Sequence, residues 1–174
     1  TDSNDNVPMF EQPLYEFAVS EDVKMGTLVG KITAVDADSG RFGQVEYNLK
    51  GFGAEKFRVL PETGEIFVNS CGGQATSSCL DFETQAVYPL TYTGTDGGGQ
   101  VTTTNIVIRV QDVNDNYPKF EQNSYSRVLQ ENAREFEPKL VIRAADIDGI
   151  SQGGGKVFYS IHSINTDATV FNVD

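Results

Sequence analysis

Apolar and polar residues alternate along much of residues 9–111, which is the pattern of strands with one buried face. Tyr15, Phe17 and Val19, for example, fall on one face of the first such segment. The alternation predicts strands over residues 14–19, 27–35, 44–49, 56–60, 65–69, 87–93 and 101–111. About seven short strands separated by Gly, Pro, Asp and Ser turns are typical of an antiparallel sandwich. We therefore expect an all-β fold, and no stretch keeps a helical period.

The opening of the chain is repeated after residue 111. A shift of 110 residues aligns Asp2 with Asp112, Asn4 with Asn114, Pro8 with Pro118, Phe10 with Phe120, Tyr15 with Tyr125, Glu21 with Glu131, Asp36 with Asp146 and Asp38 with Asp148. Small insertions then move the match of Tyr47 to Tyr159 and that of Phe57 to Phe171. Residues 60–111 have no partner, so we expect one complete module, the first part of a second, and a chain that is a fragment of a longer protein.

Each repeat begins with a segment that is rich in oxygen-bearing side chains and ends in proline. These segments are Asp2–Pro8 and Asp112–Pro118. Proline biases the preceding residue towards extended backbone, where alternate side chains point to opposite sides. Such a segment can serve two neighbouring modules through a shared metal. The sequence therefore predicts a linker at 1–8, a module at 9–111, a metal-binding linker at 112–118 and a truncated module at 119–174.

The net charge of the chain limits the classes of molecule that it can bind. The formal charge of −12 and the pI near 4.4 argue against nucleic acid, whose phosphates attract Lys and Arg clusters, and favour cations instead. A solvated acidic face is the alternative, but random scatter would not repeat the acids at matching positions. The only histidine is His162, so no Ser-His-Asp or Cys-His arrangement can recur in both repeats, and we expect no enzymatic activity.

The two cysteines, Cys71 and Cys79, flank a short Gly- and Ser-containing segment that can bring their thiols together. We expect a disulfide, which would contribute about 2–3 kcal/mol by the chain-entropy model and suits an extracellular setting. The alternative is a pair of free loop thiols in a reducing compartment.

The acidic motifs, taken in order, resemble those of cadherin repeats. They are Ser20-Glu21-Asp22, Asp36-Ala37-Asp38, Leu80-Asp81-Phe82-Glu83, Thr95-Asp96-Gly97 and the two Asp-x-Asn-Asp-Asn-x-Pro linkers, with Gln130-Glu131-Asn132 and Asp146-Ile147-Asp148 in the second repeat. The resemblance covers the whole chain. It implies Greek-key sandwiches of seven strands, joined by calcium.

Calcium takes about six to eight oxygen ligands, so side chains of two modules and a linker can hold it together. The resemblance implies that Glu21, Asp81, Glu83 and Asp115 hold a first ion, and that Glu21, Glu83, Asp112, Asp115, Asp148 and the Val113 carbonyl hold a second. Asn114, Asp146, Asp148 and the Asn116 carbonyl would begin a third, whose counterpart of Asp96 lies past residue 174.

The amino-terminal linker has a matching set of ligands. By the same resemblance, Asn4, the Asn6 carbonyl, Asp36, Asp38 and Asp96 would bind one ion there. The family often has Asn at the position of Phe42, but the expected ligand is a backbone carbonyl, so the change is tolerable. In the second repeat the insertion at 151–155 leaves the equivalent carbonyl open.

The resemblance also implies calcium-dependent cell–cell adhesion by the extracellular part of a membrane-anchored protein of the plasma membrane. The partner would be another cadherin, of the same or a different kind, and calcium would make the linkers between neighbouring repeats rigid. The absence of tryptophan, together with the preceding linker, implies an internal repeat of a long cadherin or protocadherin-like protein. One alternative is a structural or force-bearing spacer without an adhesive surface. Another is a calcium-using carbohydrate-binding sandwich, which needs an exposed aromatic platform that the alternation does not indicate.

Overall fold

The structure, a computed structural model, describes residues 3–71, 74–149 and 155–162, except for the side chains of residues 71–78. The chain forms two compact units, Thr1–Val113 and Asn114–Asp174. Among the described residues, no helix is long and apolar enough to cross a membrane.

The described residues of the first unit form strands and one turn of 3₁₀ helix, Ala54–Lys56. In chain order its strands are β1 (Met9–Phe10), β2 (Leu14–Ser20), β3 (Leu28–Lys31), β4 (Ala34–Val35), β5 (Val45–Lys50), β6 (Phe57–Val59), β7 (Glu65–Val68), β8 (Ser70–Cys71), β9 (Gln74–Ser78), β10 (Val87–Asp96) and β11 (Val101–Gln111). One main sheet has the order β2-β11-β10-β5 and the other β3-β7-β6. These seven strands confirm the predicted all-β sandwich.

The core lies between the two main sheets and follows the predicted alternation. Tyr88, Leu90 and Tyr92 of β10 are buried, and so are Ile106, Ile108 and Val110 of β11. Because β10 and β11 are antiparallel neighbours at the centre of the larger sheet, their inward faces form most of one wall of the core.

Tyr92 ties the sheets together at the centre of this core. Its ring stacks on that of Tyr47 with centroids 5.6 Å apart, and its hydroxyl lies 3.1 Å from the Gly64 carbonyl oxygen, beside β7. Gly64 has a φ of 72°, and a Cβ there would strike the Ile32 carbonyl oxygen. A glycine is therefore required where the tyrosine crosses between the sheets.

The structure differs from the sequence prediction at several places: β1 was not predicted, and β2 pairs with β11 in parallel although an antiparallel sandwich was expected. The predicted strand 27–35 is split into β3 and β4, because β3 pairs with β7 whereas β4 pairs with β1. The hairpin of β8 and β9 was not predicted, since residues 70–78 are mostly small and polar and show no alternation.

The second unit reproduces the opening of the first. Strands β12 (Lys119–Phe120) and β13 (Ala144–Ala145) pair in the register that β1 and β4 use 110 residues earlier, Phe120 opposite Ala144 as Phe10 is opposite Ala34. Residues 124–130 align with β2 but form no strand. The reason is that β2 pairs with β11 in the first unit, and this sequence has no counterpart of β11 in the second repeat.

Replacing Ile66, which is fully buried on β7, with alanine is expected to lower the free energy of unfolding by about 2–5 kcal/mol, because it leaves a cavity in the core. Urea denaturation followed by circular dichroism measures this. Val101→Ala, at an exposed β11 position, is the control and should change it by less than about 0.5 kcal/mol. Equal losses in both variants would contradict this assignment of the core.

Candidate metal centres

Two groups of acidic and amide residues in the first unit lie at opposite ends of the β10–β11 hairpin. Thr95 pairs with Val101 at one end of the hairpin, and Val87 pairs with Arg109 at the other. The amino-terminal cluster, at the first end, consists of Asn4, Asn6, Asp36, Asp38 and Asp96. The linker cluster, at the second end, consists of Glu21, Asp81, Glu83 and Asp112.

Backbone geometry fixes the amino-terminal cluster to the sandwich. The Asp38 amide donates to Asp36 Oδ1 over 2.8 Å, and Asp38 in turn accepts bonds from Asn6, from its amide at 3.1 Å and from its Nδ2 at 2.5 Å. Asp96 ends β10 and accepts bonds at Oδ1 from the amides of Gly98 and Gln100, both at 2.8 Å. Burial alone would raise the pKa of Asp96, but these bonds and one from the Asn4 side chain hold it below its usual value.

Three other oxygens of this cluster are buried without a hydrogen-bond partner among the described residues. Asn4 Oδ1, Asp36 Oδ2 and Asp96 Oδ2 are buried and have no hydrogen-bond partner in the part of the chain that the structure describes. Buried polar atoms are nearly always paired, because an orphaned one loses its hydration without compensation. A hard cation is the partner that suits a set of carboxylate and amide oxygens.

The linker cluster is built around Glu21, which is buried at the end of β2. Its Oε2 accepts a 2.7 Å bond from the amide of Phe82, and its Oε1 accepts a 2.6 Å bond from the amide of Val113. One carboxylate oxygen of each of Glu21, Asp81 and Glu83 lies within 4.8 Å of the others. The structure therefore brings these three predicted ligands together.

The linker cluster brings buried carboxylates together, and their charges repel one another. Glu83 Oε1 and both carboxylate oxygens of Asp112 are buried without a hydrogen-bond partner among the described residues. Burial raises the pKa of Glu83 to about 7, with repulsion from Glu21 and Asp112 acting in the same direction. Asp81 is the opposite case, because bonds from Thr84, chiefly the 2.7 Å bond from its hydroxyl, hold the pKa of Asp81 low.

The second unit has its own group of predicted ligands. Asn114, Asp115, Asn116 and Asp146 line a cavity of about 350 Å³ with Tyr117, Pro118 and Lys156. The Asn116 amide donates to Asp148 Oδ2 over 3.1 Å, the same bond at the same length that Asn6 makes to Asp38. The local geometry of the first linker is thus repeated at the second.

Some residues of these sites were missed by sequence reasoning, and others stay predictions. Lys156, which lines the cavity of the second unit, and Gln100 were missed, since neither belongs to the acidic motifs. Phe42 is half-buried below the Arg41 guanidinium, which lies 4.8 Å from its ring centroid. The roles predicted for the carbonyls of Phe42, Asn6, Val113 and Asn116 are not tested by this geometry.

The Cys71 side chain lies outside the described residues, so the predicted bridge to Cys79 stays a prediction. Cys71 ends β8 and Cys79 directly follows β9, so both cysteines belong to this hairpin.

The sequence of the first unit matches a known family. Residues 15–111 match the cadherin domain. The chain belongs to the cadherin family. Human protocadherin Fat 1 is 40% identical over 161 residues, 92% of this chain and 3% of that protein, and human cadherin-23 is 38% identical over 179 aligned positions, 99% of this chain and 5% of that protein. This cadherin segment therefore spans a small part of the relatives it matches.

Solved cadherin structures share the fold. A crystal structure of mouse cadherin-23 EC22-24 superposes with a TM-score of 0.74 at 38% identity, covering 86% of this chain and 46% of that one. The protocadherin GammaB4 extracellular domain superposes with a TM-score of 0.71 at 30% identity, covering 86% and 22%. The predicted kinship with long, protocadherin-like cadherins is confirmed, and it supports an adhesion-related, extracellular role for the segment.

We expect the Glu83 carboxyl to make the stability of the first unit depend on pH when no metal is bound. A carboxyl whose pKa is about 7 in the folded state and near 4.5 in the unfolded state binds more protons when folded between these values, so its contribution to stability is lost as pH rises through that window. In chelator, the melting temperature of Glu83→Gln should fall less between pH 5 and pH 8 than that of the wild type.

Circular dichroism at several pH values makes this comparison. Glu46→Gln, at an exposed position on β5, is the control and should keep the wild-type slope. Identical slopes for Glu83→Gln and the wild type would show that the folded state does not raise the pKa of the Glu83 carboxyl.

Proposed function

We propose that the chain is a calcium-binding segment of a cell-adhesion ectodomain, in which ions at the linkers hold neighbouring repeats in a fixed orientation. The observation that carries this proposal is the set of buried carboxylate and amide oxygens without a hydrogen-bond partner among the described residues. Motif order and family membership add support, since the unpartnered atoms belong to predicted ligand residues.

At the amino-terminal site, Asn4, Asp36, Asp38 and Asp96 would hold one ion, with the carbonyls of Asn6 and Phe42. The side chains of this set lie within the first unit, three of them with an unpartnered buried oxygen. Asp38 is already oriented by Asn6, and Asp96 by the β10–β11 turn. This set supports ion binding by one repeat and its preceding linker.

At linker 112–118, ligands would come from both repeats. Glu21, Asp81, Glu83 and Asp112 of the first unit and Asn114, Asp115, Asp146 and Asp148 of the second would share the ions, with the carbonyls of Val113 and Asn116. Support for each half comes from its own geometry, and support for their sharing comes from the sequence pattern.

The charges of the linker cluster suggest how calcium binding would change the linker. Without a cation the linker cluster holds like charges in a buried setting, where they repel strongly. Calcium, when bound, supplies the positive charge that neutralises these carboxylates. Glu21 couples the linker to the sandwich, because its carboxylate bonds to both Phe82 and Val113. We propose that, through these two bonds, ion binding at the linker cluster makes the linker rigid.

The proposed setting is the extracellular part of a membrane-anchored protein, and the proposed partner is another cadherin. Both follow from the family rather than from any surface of the chain. We expect dissociation constants for calcium on the order of 10⁻⁴–10⁻³ M, as is usual for extracellular modules.

Asp115→Ala should weaken calcium binding at linker 112–118 and leave the first sandwich folded, because Asp115 is an exposed linker residue outside the core. Calorimetric titration with calcium, paired with circular dichroism, measures both effects. Glu46→Ala removes one charge from an exposed position of β5 and serves as the control. If Asp115→Ala titrates like the wild type, the proposed ligand role is wrong.

Cys71 and Cys79 should form a disulfide. Under denaturing conditions without reductant, a thiol reagent is expected to find no reactive thiol, and after reduction it should find both. Two reactive thiols in the unreduced protein, confirmed by mass spectrometry, would exclude the bridge.

A further inference from the structure

Gln100 contacts both the amino-terminal cluster and the linker that precedes it. Its amide donates to Asp96 Oδ1 over 2.8 Å, and its carbonyl accepts a 3.0 Å bond from the Asp96 amide across the β10–β11 turn. Its side chain reaches further, since Nε2 donates to the Asn4 carbonyl oxygen over 2.9 Å. One residue therefore joins the turn that holds Asp96 to the backbone of the linker.

This contact differs from the two hydrogen bonds by which Asn6 ties the linker to the sandwich. Asn6 bonds to Asp38 through both carboxylate oxygens, which are proposed ligand atoms. Gln100 instead uses the backbone carbonyl of Asn4 and leaves Asn4 Oδ1 without a partner among the described residues. The contact of the Gln100 side chain is therefore compatible with an ion at the site, because Nε2 occupies none of the proposed side-chain ligand atoms.

The Asn4 side chain is confined from another direction as well. Gly98, in the same turn, lies so close that a Cβ there would clash with Asn4 Nδ2. With its backbone held by Gln100 and its amide packed on Gly98, Asn4 has little freedom to turn its Oδ1 away.

We propose that Gln100 is a positioning residue that holds the amino-terminal linker on the first sandwich before calcium binds, and so preassembles the site. The inference rests on the proposed calcium binding at the amino-terminal cluster. A site whose ligands are already in place avoids the ordering of the linker that binding would otherwise require. Loss of the contact lowers the fraction of molecules in the binding-competent form and weakens the apparent affinity by that fraction.

Gln100→Met tests this, since methionine keeps the length of the side chain and the backbone bonds but removes the Nε2 donor. Losing one hydrogen bond should weaken calcium binding at this site about two- to tenfold. Gln12→Met is the matched control, because Gln12 is exposed and its hydrogen bonds to Tyr15 and Thr104 are made by its backbone.

The Asn6 amide is the local reporter, because it donates to Asp38 within the same cluster. In chelator, NMR should show faster hydrogen exchange of this amide in Gln100→Met than in the wild type, with circular dichroism unchanged. In a calcium titration, the midpoint of its chemical-shift change should move to about two- to tenfold higher calcium. Gln12→Met should match the wild type in both measurements.

Equal exchange and equal midpoints in Gln100→Met and the wild type would overturn the role of Gln100 while leaving calcium binding intact. A wild-type Asn6 amide that does not respond to calcium up to about 10 mM, well above the range of extracellular sites, would instead overturn calcium binding at this cluster and the inference with it. The first failure is seen in the variant and the second in the wild type, so they are distinguishable.

Discussion

Buried oxygens without hydrogen-bond donors impose the strongest constraint on this molecule. Asp112 has both carboxylate oxygens in this state within the described part of the chain, and Asp36 and Asp96 have one each. The uncompensated burial of a charged group costs several kcal/mol, so a fold that keeps such groups requires another partner for them. Their acceptor-only chemistry selects a hard cation, and their residues are those that the acidic motifs single out.

In the first unit these oxygens lie in two clusters, which the β10–β11 hairpin separates by holding one at each of its ends. The β10 and β11 strands run from the linker cluster to the turn that carries Asp96, with a core of Tyr88, Tyr92 and Ile106 along their inner face. Rigidity in the core therefore fixes acids at both ends. A change at Tyr92 or Gly64 would disturb both sheets through the bond that joins them.

The second linker repeats the first in bond-by-bond detail. Asn116 bonds to Asp148 as Asn6 bonds to Asp38, and the Asp148 amide bonds to Asp146 as that of Asp38 bonds to Asp36. This repetition supports one chemical role for both linkers.

Sequence alone predicted those elements whose physical signal is local. The alternation in β10 and β11 predicted their buried faces, and the resemblance of the acidic motifs to those of cadherin repeats named the residues of the linker cluster. It did not predict that Ile32 separates two strands with different partners, because pairing depends on distant residues such as Gly64. Gln100 and Lys156 were missed for a similar reason, since only the fold brings these two residues to the predicted ligands.

A crystal structure grown in millimolar calcium, with an anomalous difference map collected at long wavelength, tests the central claim most directly. The account predicts anomalous peaks about 2.3–2.6 Å from Asp36 and Asp96 at one end of the first unit, and from Glu83 and Asp112 at the other. Water or empty density at those oxygens, in a crystal soaked in excess calcium, would contradict it.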